Sequence, residues 1–169
     1  FSTSGDYAAN VEMVPSPVPN EPRSDAARAM SEVATPGVHT MDALAKFLNV
    51  PVESCVKTLV LLSDEGGVVT VVLRGDDQLN EIKASRLPGV QLPLTLADES
   101  AVRRASGANP GSVGPVGLTG PVYADHRAAH LADFICGANQ DDVHLTGVNW
   151  GRDLAEPKAA DLRDVREGE

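Results

Sequence analysis

Cysteine, aromatic residues and long apolar runs are all scarce in this sequence. Two of the 169 residues are cysteines, and 4% are aromatic. Cys55 and Cys136 lie in apolar stretches without the Cys-x-x-Cys spacing of metal and redox sites, which favours reduced thiols in a cytosolic protein over a disulfide. The longest apolar run, residues 68–73, already contains Thr70, has the length of a strand and is far shorter than the roughly 20 residues that cross a bilayer. A disulfide-stabilised scaffold and a membrane-spanning helix are therefore excluded.

Positive charge is also scarce. Lysine and arginine together number 14 against 24 aspartates and glutamates, which gives a formal net charge of −10. A surface with this balance repels nucleic-acid phosphates, so the composition argues against tight autonomous binding of nucleic acid and confines any RNA contact to a local patch. The 42% hydrophobic and 22% charged residues are nevertheless typical of a folded globular domain rather than a disordered chain.

Both ends of the sequence have the composition of connectors. Four prolines between positions 15 and 22 disfavour helix and strand, and residues 157–169 are strongly charged. The sequence starts with Phe1 and shows no basic-then-apolar leader, which suggests a cut inside a longer polypeptide. We therefore expect a folded unit over residues 24–160, with connectors at 1–23 and 161–169.

The pattern of apolar residues predicts a mixed α/β (α+β) fold. Thr40 is placed to cap a helix in which Met41, Leu44 and Leu48 recur at helical spacing. Residues 56–62 and 68–74 are apolar runs separated by a Gly-rich turn, which predicts a hairpin of buried strands. Further expected elements are helices at 24–33, 77–86 and 98–105 and strands at 90–94 and 121–124. This irregular order lacks a βαβ period, so we expect a largely antiparallel central sheet with surrounding helices rather than a Rossmann unit.

Two features of these segments could bind a ligand or take part in catalysis. Lys57 is a charged residue inside the most apolar strand, so its ammonium must either reach solvent at an edge or face a polar ligand in a cleft. Residues 107–120 are rich in glycine, and Gly111-Ser112-Val113-Gly114-Pro115 within them could present several backbone N–H groups to a phosphate or a polarised carbonyl oxygen. Taken alone, the same string is also an ordinary surface turn.

The histidines give weaker signals. His126 and His130 would share a helix face, but Arg127 stands where the zinc-protease pattern has glutamate, so no metal site is predicted. His144 shares a strand face with Thr146 and could orient a substrate or be a half-buried core residue. The sequence has no Gly-x-Ser-x-Gly elbow, P-loop or Gly-x-Gly-x-x-Gly string, which leaves covalent serine catalysis and nucleotide triphosphate chemistry without support.

A set of short strings occurs in a specific order between about residues 33 and 150. They are Thr35-Pro36, Val56-Lys57-Thr58-Leu59, Leu73-Arg74-Gly75-Asp76, Leu79-Asn80-Glu81, Gly111-Ser112-Val113-Gly114-Pro115, Asp133-Phe134, Gly137-Ala138-Asn139 and His144. In this succession they resemble the YbaK/prolyl-tRNA synthetase-associated editing domain. Residues 6–12 and 160–165 are similar to the points where the catalytic core of bacterial-type prolyl-tRNA synthetase departs into its insertion and returns. The chain thus resembles the insertion domain of that synthetase, with residues 1–23 and 161–169 as the connectors.

The resemblance implies a function. It implies an aminoacyl-tRNA deacylase, part of a proline-tRNA ligase, that hydrolyses the ester of mischarged alanyl-tRNA(Pro) and has little action on prolyl-tRNA(Pro). No cofactor is implied for editing, since ATP would be used only by the synthetase catalytic domain, which this chain lacks. The implied partners are the acceptor end of tRNA(Pro) and the rest of the synthetase, in the cytoplasm, with no membrane and with weak RNA binding in isolation. A catalytically silent insertion that stabilises the synthetase or positions the acceptor end, or a deacylase for another small aminoacyl group such as serine or cysteine, are the alternatives.

The resemblance also implies roles for particular residues. Those implied to act on the ester are Lys57, His144, Gly111, Ser112, Val113, Gly114 and Pro115. Those implied to bind substrate are Thr35, Met41, Leu44, Arg74 and Asp125. Met41, Leu44 and Lys57 would surround the small aminoacyl pocket, with Thr35 and His144 near the aminoacyl group and the terminal adenosine. Lys57 and His144 would orient the substrate while the 2′-hydroxyl of the adenosine helps to position water, and the general base stays open. Arg74, Lys57 and Lys83 would attract the acceptor end.

Overall fold

The structure is a computed structural model that describes residues 14–118 and 120–165. Its strands are β1 (Ser31–Ala34), β2 (Val56–Leu62), β3 (Val68–Arg74), β4 (Val122–Asp125), β5 (Phe134–Gly137), β6 (Val143–Val148) and β7 (Lys158–Ala160). Its α-helices are α1 (Met41–Leu48), α2 (Glu81–Ala84), α3 (Glu99–Ser106) and α4 (His126–Ala129), with short 3-10 turns at Val52–Ser54 and Pro110–Ser112. None of these helices has the length and apolar character of a membrane span.

The strands form two sheets that meet at one edge. The order in the first sheet is β1-β6-β5, with antiparallel neighbours. The second has the order β2-β3-β4-β7, in which β2 and β3 are antiparallel and the other pairs are parallel. A parallel bridge between Cys55 and Ile135 joins the start of β2 to β5. The mixed α/β architecture predicted from the sequence is confirmed.

One apolar core is buried between the two sheets. Its members include Val56 and Val72 from the second sheet and Phe134 and Leu145 from the first. Trp150 closes it, with its ring centroid 5.1 Å from that of Phe134. The Trp150 Nε1–H donates to the Ala128 carbonyl at 3.0 Å, so the indole is buried with its one polar group satisfied.

The elements with the clearest sequence patterns form as predicted. The β2–β3 hairpin pairs from Val56 opposite Arg74 to Leu62 opposite Val68. Helix α1 begins after Thr40, whose Oγ1 accepts the Ala43 N–H at 3.1 Å. Helix α3 begins after the cap Asp98 and ends at Gly107, which has a φ of 85°. Each of these ends carries the side chain or backbone freedom that the cap requires.

Two other predicted elements are wrong. Residues 24–30 are irregular and lead into β1 instead of forming a helix, because the Asp133 carboxylate accepts the Ala27 and Arg28 amides at 3.1 and 3.0 Å and β1 pairs with β6. Residues 90–94 lie in an irregular segment rather than a strand; Gln91 N–H donates to the Leu62 carbonyl at 2.9 Å. The helix expected at 77–86 is confined to α2, since the Asn80 side chain caps it by accepting the Lys83 N–H at 3.0 Å.

Lys83 lies in a buried polar cluster that joins segments from both ends of the chain. Its Nζ donates to Asp161 Oδ1 at 3.0 Å, to Ser16 Oγ at 3.1 Å and to the Arg163 carbonyl at 2.9 Å. All three ammonium protons are therefore used, and the side chain is 5% exposed. The expectation that Lys83 attracts RNA is wrong for this reason.

The connectors predicted at 1–23 and 161–169 are described only in part. Leu162 is fully buried, and Arg23 forms two hydrogen bonds with Glu156, at 2.8 and 2.7 Å. The stretch 6–12, which resembles the departure point from a synthetase core, lies outside the described residues. The domain boundaries stay predictions.

Candidate functional site

Lys57 in β2 and His144 in β6 lie on the same face of the molecule, on either side of β5. Cys55 bridges Ile135 in parallel, and Lys57 and Gly137 each lie two residues further along the same two segments. Gly137 in turn pairs with His144. Because alternate residues of a strand share a face and paired residues point to the same face, Lys57, Gly137 and His144 form a row on the face of Cys55 and Ile135.

Helix α1 forms one wall beside this row. Leu44 is fully buried and packs with Cys55 and Ile135, the pair that precedes the row on the same face. Met41 packs against the same cluster and is only partly buried. Both residues predicted to line a small pocket therefore lie next to the row. Burial raises the pKa of the Cys55 thiol to about 11, which keeps this neighbouring cysteine protonated and a poor nucleophile.

The glycine-rich loop at residues 111–115 packs on the end of β5 and lies beside His39, just before α1. The turn between β5 and β6 holds it in place: the Asn139 N–H donates to the Ser112 carbonyl at 2.9 Å, and the Asp142 N–H donates to Ser112 Oγ at 3.1 Å. Asn139 Oδ1 accepts the Gly114 N–H at 2.9 Å, while its Nδ2 donates to the Val116 carbonyl at 2.8 Å. One asparagine thus fixes both ends of the loop.

Gly137 packs directly against the backbone of the glycine-rich loop. A Cβ at this position would lie 2.4 Å from the carbonyl oxygens of Ser112 and Val113. A Cβ at Gly114 would lie 1.9 Å from the Gly137 carbonyl oxygen. Both contacts are with backbone, so neither position accepts a side chain without displacing the loop. Gly137 was not predicted as a site residue, although the string Gly137-Ala138-Asn139 is among those that carry the resemblance.

Thr35 and His144 form a buried pair at one end of the row. Thr35 Oγ1 lies 2.6 Å from His144 Nδ1, and the two residues are 0% and 2% exposed. Strand β1 places them together by pairing with β6, with Ala34 opposite Val143. Burial lowers the pKa of His144, and nearby His39 lowers it further, so the imidazole is held in its neutral form at neutral pH.

His39 and Asp142 are site neighbours that the sequence did not reveal. His39 Nε2 lies 3.7 Å from Asp142 Oδ1, and a Cβ on Gly111 would be 2.8 Å from His39 Nδ1. Asp142 also accepts the Gly37 N–H through Oδ1 at 3.1 Å and the Thr35 N–H through its backbone carbonyl at 2.8 Å. Asp142 therefore connects the Thr35–His144 pair to the glycine-rich loop.

Lys57 lies at the other end of the row. Its side chain is half-buried, and burial lowers its pKa, an effect opposed by the carboxylates of Asp77 and Asp76. The residue lines a cavity of about 590 Å³ together with Leu59, Gln78, Leu79, Glu81, Leu94, Thr95 and Leu96. Of the two alternatives for Lys57, an edge lysine in solvent and a cation that faces a cleft, this position is consistent with the second.

Comparison with known proteins assigns this architecture to a family. The family model of the aminoacyl-tRNA editing domain matches residues 35–154, more than half of the chain and a span that contains every predicted site residue. The chain belongs to this family. One solved structure similar to this editing domain is described as a "putative trans-editing enzyme for prolyl tRNA synthetase"; it is 25% identical with a TM-score of 0.67, and the match covers 79% of this chain and 86% of that chain. Another, described as a hypothetical protein, is 27% identical with a TM-score of 0.66, and the match covers 80% and 91%. The resemblance of residues 33–150 to the editing-domain family is confirmed.

Arg74 and Asp125 are held by contacts within the editing domain. Arg74 donates from Nε and Nη2 to the two carboxylate oxygens of Asp76, at 2.6 and 2.7 Å. Asp125 is 1% exposed, and its oxygens accept the backbone N–H groups of Leu162 and Arg127 at 2.9 and 3.0 Å. The substrate-binding roles of Arg74 and Asp125 stay predictions.

The buried imidazole of His144 predicts how the stability of the editing domain depends on pH. Its pKa in the folded state is below the unfolded value of about 6.5, so near pH 7.5 both states are neutral. As the pH falls through the unfolded pKa of about 6.5, the unfolded chain binds a proton that the folded chain does not, so the free energy of unfolding decreases. We expect chemical denaturation to show lower stability at pH 5.5 than at pH 7.5, and a smaller difference in His144→Gln. Equal differences in the two proteins would contradict a depressed pKa at His144.

Proposed function

We propose that this editing domain hydrolyses the ester bond of alanyl-tRNA(Pro) and spares prolyl-tRNA(Pro). The observation that carries the proposal is the grouping of Lys57 and the buried Thr35–His144 pair on either side of Gly137, next to α1 and the glycine-rich loop. Family membership supports a tRNA-linked aminoacyl ester as the substrate class. The similarity to a protein described as acting for prolyl-tRNA synthetase supports tRNA(Pro).

The proposed chemistry needs no nucleophile from the protein, because an aminoacyl ester is already reactive. Water adds to the ester carbonyl carbon, and the carbonyl oxygen becomes an oxyanion that backbone N–H groups can stabilise. The Ser112 N–H donates to the Asn109 carbonyl at 3.0 Å, the Gly114 N–H donates to Asn139 Oδ1 at 2.9 Å, and the Val113 N–H is opposite the Ser112 carbonyl that faces Gly137, so the amide of Gly111 is the proposed donor. The bond from carbonyl carbon to ribose oxygen then breaks, the ribose oxygen takes a proton, and alanine and tRNA are released.

Lys57 and His144 are proposed to orient the substrate rather than to remove the proton from water. His144 is held by Thr35 through Nδ1, so only its other ring nitrogen, Nε2, can face a ligand in the row. The Lys57 ammonium carries a positive charge into a half-buried position, where it can bind ribose or phosphate oxygens. The 2′-hydroxyl of the terminal adenosine is the proposed partner of the attacking water.

The substrate size that fits is set by the wall at α1. Leu44 cannot move away because it is fully buried among apolar residues, and Met41 packs beside it. A methyl group needs little space against this wall, whereas the pyrrolidine ring of proline would have to displace packed side chains. A second site that admits only the smaller amino acid supplies the discrimination that a synthetase pocket cannot achieve by size alone.

We further propose that the domain acts as the insertion of a prolyl-tRNA synthetase. This part of the proposal rests on the resemblance of residues 6–12 and 160–165 to synthetase segments, whereas the similar solved structure is described as trans-editing. The net charge of −10, the pairing of Arg74 with Asp76 and the burial of Lys83 give the domain little attraction for RNA. Weak binding of tRNA by the isolated domain follows.

Hydrolysis of a panel of aminoacyl-tRNAs tests the proposal. We expect alanyl-tRNA(Pro) to be cleaved at least about tenfold faster than prolyl-tRNA(Pro), since each methylene that a packed pocket rejects changes rates by roughly that factor. Seryl- and cysteinyl-tRNA in the same assay test the alternative substrates. Faster loss of serine or cysteine than of alanine would reassign the substrate, and no hydrolysis of any of them by the folded protein would favour the catalytically silent insertion.

A further inference from the structure

The turn between β5 and β6 places the Asp142 carboxylate at the edge of the candidate site, two residues before His144. Asp142 Oδ1 accepts the Gly37 N–H at 3.1 Å and lies 3.7 Å from His39 Nε2. The backbone N–H of Asp142 donates to Ser112 Oγ at 3.1 Å. The carboxylate therefore lies where the segment before α1, the glycine-rich loop and the β5–β6 turn meet.

The charge of Asp142 is not neutralised by a lysine or arginine in the part of the chain that the structure describes. Its ion-pair partner there is His39, and 3.7 Å is beyond hydrogen-bond distance. The side chain is 48% exposed, so a ligand can reach it. Other carboxylates around the site are engaged by arginines. The pairs are Asp141 with Arg103, Asp76 with Arg74 and Asp77 with Arg127.

An aminoacyl ester carries a cation next to its reacting carbon. Its α-ammonium is attached to the same atom as the side chain and the ester carbonyl, so the positions of those two groups fix where the ammonium points. In the proposed function, the alanine methyl group packs against Met41 and Leu44, and the carbonyl oxygen accepts the Gly111 N–H. His39 connects these two places, because it directly precedes the cap of α1 and its Nδ1 would lie 2.8 Å from a Cβ on Gly111. The ammonium then lies near His39, within reach of the carboxylate that His39 faces.

We propose that Asp142 binds the α-ammonium group of the aminoacyl ester. The inference rests on the proposed deacylase function for the direction of the substrate, and it narrows the substrate class. The site prefers esters with a free α-ammonium over esters that are uncharged at this position, which include those whose α-nitrogen is acylated. An ammonium that leaves water needs an acceptor, and a hydrogen bond to a carboxylate is about twice as strong as one to a neutral oxygen.

Asp142→Asn removes the charge with little change to the local structure. Asp142 has a φ of 63°, in the left-handed region where asparagine is also well tolerated. The amide oxygen of asparagine can still accept the Gly37 N–H, and the bonds from residue 142 to Thr35 and Ser112 use its backbone. Asp42→Asn is the matched control, because it removes the same charge from an exposed position in the first turn of α1.

Two esters that differ only in the α-substituent test the proposal by hydrolysis. Lactyl-tRNA(Pro) has a hydroxyl where alanyl-tRNA(Pro) has the ammonium, and the two groups are nearly equal in size. We expect Asp142→Asn to lower kcat/KM for alanyl-tRNA(Pro) about tenfold, the effect of one hydrogen bond to a charged group, and to leave kcat/KM for lactyl-tRNA(Pro) unchanged. Asp42→Asn should change neither. Equal losses with both esters would indicate a structural role for Asp142 and overturn the proposal, as would an unchanged rate with alanyl-tRNA(Pro).

A binding measurement distinguishes this inference from the proposed function. Backbone amide signals of Gly111 and Asp142 are recorded by NMR during titration with L-alaninamide and, separately, with L-lactamide, which carry the same ammonium and hydroxyl but no ester. We expect L-alaninamide alone to shift these signals, in the unaltered protein and in Asp42→Asn but not in Asp142→Asn. Equal shifts with both compounds, or no shifts with either, would overturn the proposal. If the unaltered protein cleaves no aminoacyl ester, the proposed function fails, whereas the titration still decides whether Asp142 binds the ammonium.

Discussion

Replacing Lys57 with alanine is expected to reduce hydrolysis of alanyl-tRNA(Pro) at least about hundredfold while the protein stays folded. The ammonium is the cation at the point where the row over Gly137 meets the leucine-lined cavity. Burial already lowers its pKa, which means that the fold carries this charge at a cost in solvation free energy. Removing it should therefore leave the melting temperature unchanged or raise it, so a loss of turnover would not be the result of unfolding.

Two further variants make the Lys57 result specific. Lys46→Ala removes a lysine of the same charge from an exposed position of α1 and should leave turnover unchanged. Lys57→Met keeps a long apolar stem in place of the ammonium, so it should lose activity as Lys57→Ala does, without opening space beside Leu59. Single-turnover deacylation and thermal melting check both expectations. Full activity in Lys57→Met would remove Lys57 from the proposed site.

The elements that the sequence predicted correctly are those with strong local signals. The β2–β3 hairpin has two apolar runs separated by a Gly-rich turn, and α1 has a threonine cap followed by apolar residues at helical spacing. Residues 24–30 had similar local support for a helix. Tertiary contacts decided against it, because Asp133 accepts amides of this segment more than 100 positions away in sequence.

Individual side chains of the site could be predicted from the sequence, but their spatial arrangement could not. The local sequence pattern was equally compatible with purely structural roles, an edge lysine for Lys57 and a half-buried core residue for His144. Only the resemblance to an editing domain favoured a functional role. Their placement in one row depends on the bridge between Cys55 and Ile135, which joins two sheets and has no local signature. His39 and Asp142 have no motif of their own and are identified only through their contacts with the loop at Gly111 and Ser112.

The two glycines of the site, Gly114 and Gly137, also depend on long-range contacts that have no local sequence signature. Gly114 belongs to a loop that the sequence made recognisable. The requirement for glycine at this position, however, comes from the Gly137 carbonyl oxygen, which a Cβ on residue 114 would approach to 1.9 Å. Gly137 is constrained by the same loop from the other side. Gly114 thus requires glycine because of the Gly137 carbonyl, and Gly137 because of the Ser112 and Val113 carbonyls, and neither has a positive φ that would have marked it as exceptional.

Gly137→Ala is expected to lower the rate of alanyl-tRNA(Pro) hydrolysis by about hundredfold, the effect that a displacement of roughly 1 Å has on a positioned catalytic group. The new methyl group would meet the Ser112 and Val113 carbonyl oxygens at 2.4 Å, so the loop with the proposed Gly111 donor must move. The same overpacking should lower the free energy of unfolding by about 1–3 kcal/mol, which leaves a folded population for the assay. Urea denaturation and single-turnover deacylation measure the two effects.

Gly67→Ala is the matched control, because it adds the same methyl group in the β2–β3 turn, where nothing lies within 4 Å of the new Cβ and φ is not positive. Its turnover should equal that of the unaltered protein, since a methyl group in open space displaces no catalytic group. The comparison also separates positioning from stability: at a denaturant concentration where Gly137→Ala and the unaltered protein are both folded, the deficit of Gly137→Ala should persist. Normal turnover in Gly137→Ala would show that the loop amides do not act on the ester, because the loop cannot keep its position once that Cβ is present.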